Sequence, residues 1–147
     1  YMNKQEKAIS YFRNEFNCSQ SVLAAFADDF GISEDVCLKI SCAFGGGMGR
    51  LQHTCGAVTG ALMVLGLKYG KALNDPEDKK LMTYEKTKEF FSEFTKLHGS
   101  TNCRELLGGL DLNDPVDYKT VTDQNLFQVR CEEYVTDAIT ITGKLLK

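Results

Sequence analysis

From Lys4 to Leu145 the apolar residues of this 147-residue chain return every three or four positions, and only two prolines, Pro76 and Pro115, interrupt them. That spacing belongs to helices with one buried face. No segment alternates with period two, although "DYKTVT" comes nearest to a strand pattern. The expected fold is all-α: a single-domain helical bundle over residues 1–147, with six or seven helices.

The first helix is expected in "KQEKAISYFRNEF", with Ala8, Ile9, Phe12 and Phe16 on one face. A second, "CSQSVLAAFADDFG", points Val22, Leu23, Phe26 and Phe30 inward and stops at Gly31. A third opens at Ser33, where Glu34 and Asp35 favour the positive helix start. After a glycine loop at 45–49, a helix runs from about Cys55 to Tyr69. The longest amphipathic segment follows, with Asp75 as cap, Pro76 at the first helical position and Gly99 as the stop. Its buried stripe reads Leu81, Tyr84, Phe91 and Phe94. "NCRELLG" predicts a short helix ended by Gly108 and Gly109, and "LDLNDPVDYKTVTD" reads as the one long loop. The last helix spans about Asp123 to Leu145, with Phe127, Cys131, Tyr134, Val135, Ala138 and Leu145 inward.

Composition excludes several functions. A net charge of −3 argues against a nucleic-acid partner, which needs a clustered basic face. The longest apolar run, Cys55 to Leu67, is too short to span a bilayer, so the chain is expected not to be membrane-inserted. Tyr1 precedes Met2, and Met2 is read as the native start. No secretory signal follows it, and a cytoplasmic location is expected. There, six cysteines point to metal binding, thiol chemistry or plain burial before a disulfide scaffold.

Three of the cysteines share a setting. Cys18, Cys55 and Cys103 each follow a residue able to cap a helix: Asn17, Thr54 and Asn102. A thiol in the first turn of a helix meets free N–H groups and the positive end of the macrodipole, which favour the thiolate. Arg50 adds a permanent charge near Cys55, and His53 reads either as a base or ligand or as a surface loop residue. Cys131 lies on an apolar helix face, where a thiol is core filler unless the fold brings it to another sulfur. Cys37 and Cys42, five residues apart, face different directions and read as structural. No CxxC spacing occurs, so any cluster must be assembled across helices.

"GGGMGR" lacks the order of a phosphate-binding P-loop, and no strand precedes it. Two readings stay open for Gly45, Gly46, Gly47, Gly49 and Arg50: a backbone nest that binds an anion or cofactor, or a tight connection between helices. Gly56 and Gly60, with Ala57 and Ala61, form small-residue rows on which another helix can lie, delivering a second thiol to Cys55.

These residues resemble a known family. "CGAVTG" at 55–60 matches the CGAxxG hallmark of the C_GCAxxG_C_C family, classed as redox-active by its four cysteines. Those four correspond here to Cys18, Cys55, Cys103 and Cys131, and the segment ending Gly49-Arg50 fits as well. The resemblance implies redox activity and, since family members are often encoded near transporter genes, a transporter-associated accessory role. Three functions remain in view. In the first, Cys55 is an attacking thiolate and Cys18, Cys103 or Cys131 resolves the mixed disulfide; this thiol–disulfide oxidoreductase chemistry needs no cofactor. In the second, the same four cysteines bind zinc or an iron–sulfur cluster. In the third, the chain is a non-catalytic binding module. The redox partner stays open, as does the oligomeric state, a homodimer included.

Overall fold

The computed structural model describes residues 2–147, and Tyr1 lies outside them. The chain is all-α, with eight helices and no strand among the described residues. They are α1 (Lys4–Arg13), α2 (Cys18–Ala25), α3 (Glu34–Ser41), α4 (Gly56–Tyr69), α5 (Glu77–His98), α6 (Cys103–Leu106), α7 (Pro115–Asp123) and α8 (Glu132–Leu145). Two 3₁₀ turns, Ala27–Phe30 and Cys42–Phe44, and a π turn, Phe127–Cys131, join them.

The start signals act as local chemistry dictates. Asn3 and Asn17 each close a reciprocal capping box, with Glu6 and Gln20 respectively. Ser33 and Asn102 accept the N–H groups of Val36 and Glu105. Gly31, Gly99, Gly108 and Gly109 fall where the chain turns left-handed. The apolar residues of α4 surround it, so it occupies the centre of the molecule. Helices α2, α5 and α8 pack around it. Val22, Phe26, Val58, Leu65, Phe90, Phe94 and Val135 fill the core between them. No helix among the described residues is long and apolar enough to cross a membrane.

Five expectations are corrected. Phe16 lies beyond the end of α1, which stops at Arg13. The long loop at 110–123 contains α7, because Asp114 accepts the N–H of Asp117 at 2.9 Å and Pro115 takes the first helical position. The similar pair at 75–76 behaves otherwise: the Asp75 carboxylate accepts the Ala72 N–H at 2.8 Å, so Pro76 itself caps α5. The buried face of α5 is Phe90 and Phe94, while Leu81 and Tyr84 are exposed. Finally, the last helix is broken at Asn125, whose φ is 52°, and resumes through the π turn.

Candidate functional site

One wall of the site is a backbone turn of the wrong hand. Gly46, Gly47, Met48, Gly49 and Arg50 have φ of 64°, 69°, 70°, 58° and 64°. A left-handed conformation costs an L-residue about 1–2 kcal/mol, and glycine escapes most of that. Met48 and Arg50 bear it. The turn is held by the N–H groups of Gln52 and His53, which donate to the carbonyls of Gly46 and Gly47 at 3.0 Å each. A Cβ on Gly47 would lie 2.6 Å from Gln52 Cα and 2.8 Å from Cys103 Cβ, so the turn rests directly on that cysteine.

The helices then deliver sulfur. Cys18 is the first residue of α2, fixed by the Asn17–Gln20 box. Gly56 and Gly60 let α2 lie against α4: a Cβ on Gly56 would stand 3.2 Å from Cys18 Cβ, and one on Gly60 would stand 2.7 Å from the Ser19 carbonyl oxygen. The small-residue rows therefore bring α2 and its thiol to the start of α4. Thr54 is not the cap of that helix, as its sequence position suggested. It pairs with Asn102 in an isolated antiparallel bridge, and Cys55 occupies the capping position. On either side of the bridge, the Cys55 N–H donates to the Thr101 carbonyl at 2.8 Å and the Cys103 N–H donates to the His53 carbonyl at 2.6 Å. The starts of α4 and α6 are thereby tied together. The π turn adds Cys131 from the opposite end of the chain. Such turns insert an extra residue into a helix and occur often at functional sites.

All four cysteines line one cavity of about 860 Å³. Gly45, Gly46, Gly47, Gly49 and Arg50 line it too, with Phe12, Phe16, Tyr118 and Tyr134. Each of the six pairs among the four cysteines opposes thiolate formation. The Cys18 thiol is pushed well up, first by its hydrogen bond with Cys131 and then by burial. Burial pushes Cys55 up to about 12, although the N–H groups of Ala57 and Val58 pull the other way. Cys103 also rises to about 12, by burial and by Cys131, with the Gln52 side chain opposing.

This corrects the expectation of an activated Cys55. The helix start is present, but removal of a charge from water outweighs the partial charge of a few amides. Arg50 does not change the balance, because its guanidinium lies over the Tyr118 ring, 5.5 Å from the centroid.

The remaining cysteines part company. Cys37 is buried in the core, whereas Cys42 is exposed and lines the cavity. Cys42 read as structural in the sequence; its position three residues before the glycine turn was the signal that placed it here. His53 is an exposed loop residue outside the cavity lining. Gln52 escaped notice altogether. It is buried with φ of 60°, donates to the Leu110 carbonyl and accepts from the Leu112 N–H, both at 2.8 Å. Tyr134 closes the back of the cavity and donates its hydroxyl to the Leu106 carbonyl at 2.7 Å.

The family described as "Putative redox-active protein (C_GCAxxG_C_C)" matches residues 16–145. An uncharacterized protein of Archaeoglobus fulgidus is 29% identical over 157 residues, covering 99% of this chain and 97% of its own. No solved structure matches. With the CGAVTG segment opening its central helix and the family match running over nearly its whole length, this chain belongs to the C_GCAxxG_C_C family.

Proposed function

We propose that the four-cysteine cavity is a redox centre working by dithiol–disulfide conversion, with Cys18 and Cys131 as the pair that closes. What supports this reading is that Cys131 is the neighbour acting most strongly on the Cys18 thiol, within the one cavity that both line. Cys18 is half-buried where the other three are buried, so an incoming disulfide meets it first. The Cys18 thiolate attacks that disulfide, forming a mixed disulfide and releasing one thiolate. The Cys131 thiolate then attacks the Cys18 sulfur and releases the second. Two electrons pass to the external disulfide, and the two chain thiols give up two protons. The raised Cys18 pKa makes the first step slow unless a partner positions its disulfide. Gly45, Gly46, Gly47, Gly49 and Arg50 form the surface such a group would meet. The partner is a disulfide-bearing redox or transporter-associated protein, and a reducing cytoplasm would return the pair to thiols.

Mass spectrometry of reduced protein exposed to a disulfide oxidant tests this. The expected product has lost two hydrogens and joins the peptides of Cys18 and Cys131. Cys18→Ser and Cys131→Ser abolish it, and Cys55→Ser does not. A bridge between other cysteines, or thiols that all stay free, rejects the assignment.

The expected four-cysteine metal site is a second reading: all four cysteines line one cavity, but no three of their sulfurs lie close enough among the described residues to form a ready-made ligand set. Zinc or an iron–sulfur cluster would need the four sulfurs to draw closer together than they stand here, to metal–sulfur distances of about 2.3 Å. Elemental analysis and absorption spectra after purification without oxygen decide it. Stoichiometric zinc or iron supports this reading, and protein free of both removes it.

A further inference from the structure

A second group of ligand-type side chains lies behind the cavity wall. His98, the last residue of α5, faces Glu133 and Asp137, one turn apart on α8. One ligand atom from each of the three lies within 4.8 Å of the others. We propose that these three residues form a binding site for a divalent transition ion of the zinc class, separate from the cysteines.

The imidazole is fixed in advance. Its side chain is only 8% exposed. The Phe94 and Tyr134 rings hold it, with centroids 4.8 Å away in each case, and the Tyr134 contact is edge-on. Its Nε2 lies 2.8 Å from an Asp137 carboxylate oxygen. Two ligands bound to one ion at about 2.0–2.2 Å stand roughly 3.0–3.4 Å apart, depending on octahedral or tetrahedral geometry. An ion therefore enters between His98 and Asp137 after a separation of a few tenths of an ångström. Glu133, which is exposed, closes over it.

The charges point the same way. Glu133 and Asp137 are like charges at i and i+4 on one helix, an arrangement that disfavours the helix unless a cation intervenes. Among the described residues neither carboxylate pairs with a lysine or arginine: Asp137 has His98 alone, and Glu133 has no ion-pair partner. A divalent ion held by neutral imidazole and two carboxylates leaves a neutral site. The donor set selects the class, since imidazole with carboxylates suits zinc, cobalt or nickel better than calcium or magnesium. Three protein ligands also leave coordination positions for water. Because Tyr134 sits between the two carboxylates in sequence and lines the cavity, the bound ion pins α8 to the end of α5 directly behind the sulfur site.

The test follows the histidine side-chain nitrogens by NMR during zinc titration of the reduced protein. The chain has two histidines, so His53→Gln assigns both signals. The expected result is that Nε2 of His98 moves to the position of a metal-bound imidazole while His53 stays unchanged. Glu133→Gln, a surface change that leaves the fold intact, raises the zinc concentration at half-change about tenfold. Asp137→Asn abolishes the response. Zinc taken by the cysteines is followed separately, through thiolate-to-cobalt charge transfer when cobalt replaces zinc, and is the same in Glu133→Gln and the parent. The proposal is overturned if His98 Nε2 stays unmoved up to about 1 mM zinc. It is equally overturned if Glu133→Gln and the parent respond alike.

Discussion

Replacing glycine by alanine inside a helix normally stabilises a protein by up to about 1 kcal/mol. Gly60→Ala is expected to do the reverse. The new methyl would lie 2.7 Å from the Ser19 carbonyl oxygen, 3.1 Å from Val22 Cβ and 3.2 Å from Ser19 Cα. The nearest contact is backbone and cannot rotate aside, so α2 must retreat by roughly 0.7 Å to reach an ordinary separation. Overpacking of this kind costs about 1–3 kcal/mol, which exceeds the propensity gain. Gly66→Ala is the control: it lies on the same helix, and nothing stands within 4 Å of its added methyl. The two variants should differ by about 1–3 kcal/mol in urea denaturation, with Gly60→Ala the weaker. In Tm that is roughly 2–12 °C for a chain of this size. The retreat also carries Cys18 away from Cys131, so the yield of their disulfide should fall in Gly60→Ala alone. If Gly60→Ala is as stable as Gly66→Ala, the close seating of α2 on α4 is wrong, and with it the account of how Cys18 reaches the cavity.

Four shorter predictions accompany it. With Cys55 and Cys103 raised to about 12, alkylation of either at pH 8 should run about a thousandfold slower than that of a free thiol. The unfolded chain releases those protons first, so stability should hold below about pH 9 and fall as pH rises towards 12, by up to about 1.4 kcal/mol per unit for each thiol. Gly47→Ala places a methyl against Gln52, His53 and Cys103 at a φ of 69° and should cost about 2–5 kcal/mol in chemical denaturation. Thr142→Val should stabilise by about 1 kcal/mol in thermal unfolding, because the buried Thr142 hydroxyl has no hydrogen-bond partner among the described residues.

The caps, stops and central helix were legible because each depends on a few neighbouring residues. Asn17 with Gln20, Ser33 before two acids, and Gly99 after the last turn carry their meaning locally. Gly56 and Gly60 announced a close helix partner, and the partner is there. Other features needed three dimensions. Asp75 and Asp114 both precede proline, yet one binds back to Ala72 and the other caps a helix; the difference lies in where the preceding chain runs. The amphipathic stripe of α5 identified a helix but not how much of it the body covers, so Leu81 and Tyr84 lie in solvent. The four candidate cysteines were chosen from their order and meet at one cavity. The direction of the shifts at Cys18, Cys55 and Cys103 was misjudged, since sequence shows the dipole beside Cys55 and not the depth at which the sulfur sits.

The four sulfurs come from residues 18, 55, 103 and 131, each in a different segment of the chain. During synthesis the site cannot exist until the last helix has left the ribosome and docked. Before then Cys37 and Cys42 are the nearest neighbours in sequence, so an oxidant arriving early would favour pairings the finished molecule does not use. One of those two ends in the core and the other at the cavity rim. Maturation of the centre is thus a record of folding across the chain: a chain that carries it has brought residues 18 and 131 together, and one stalled before Cys131 cannot.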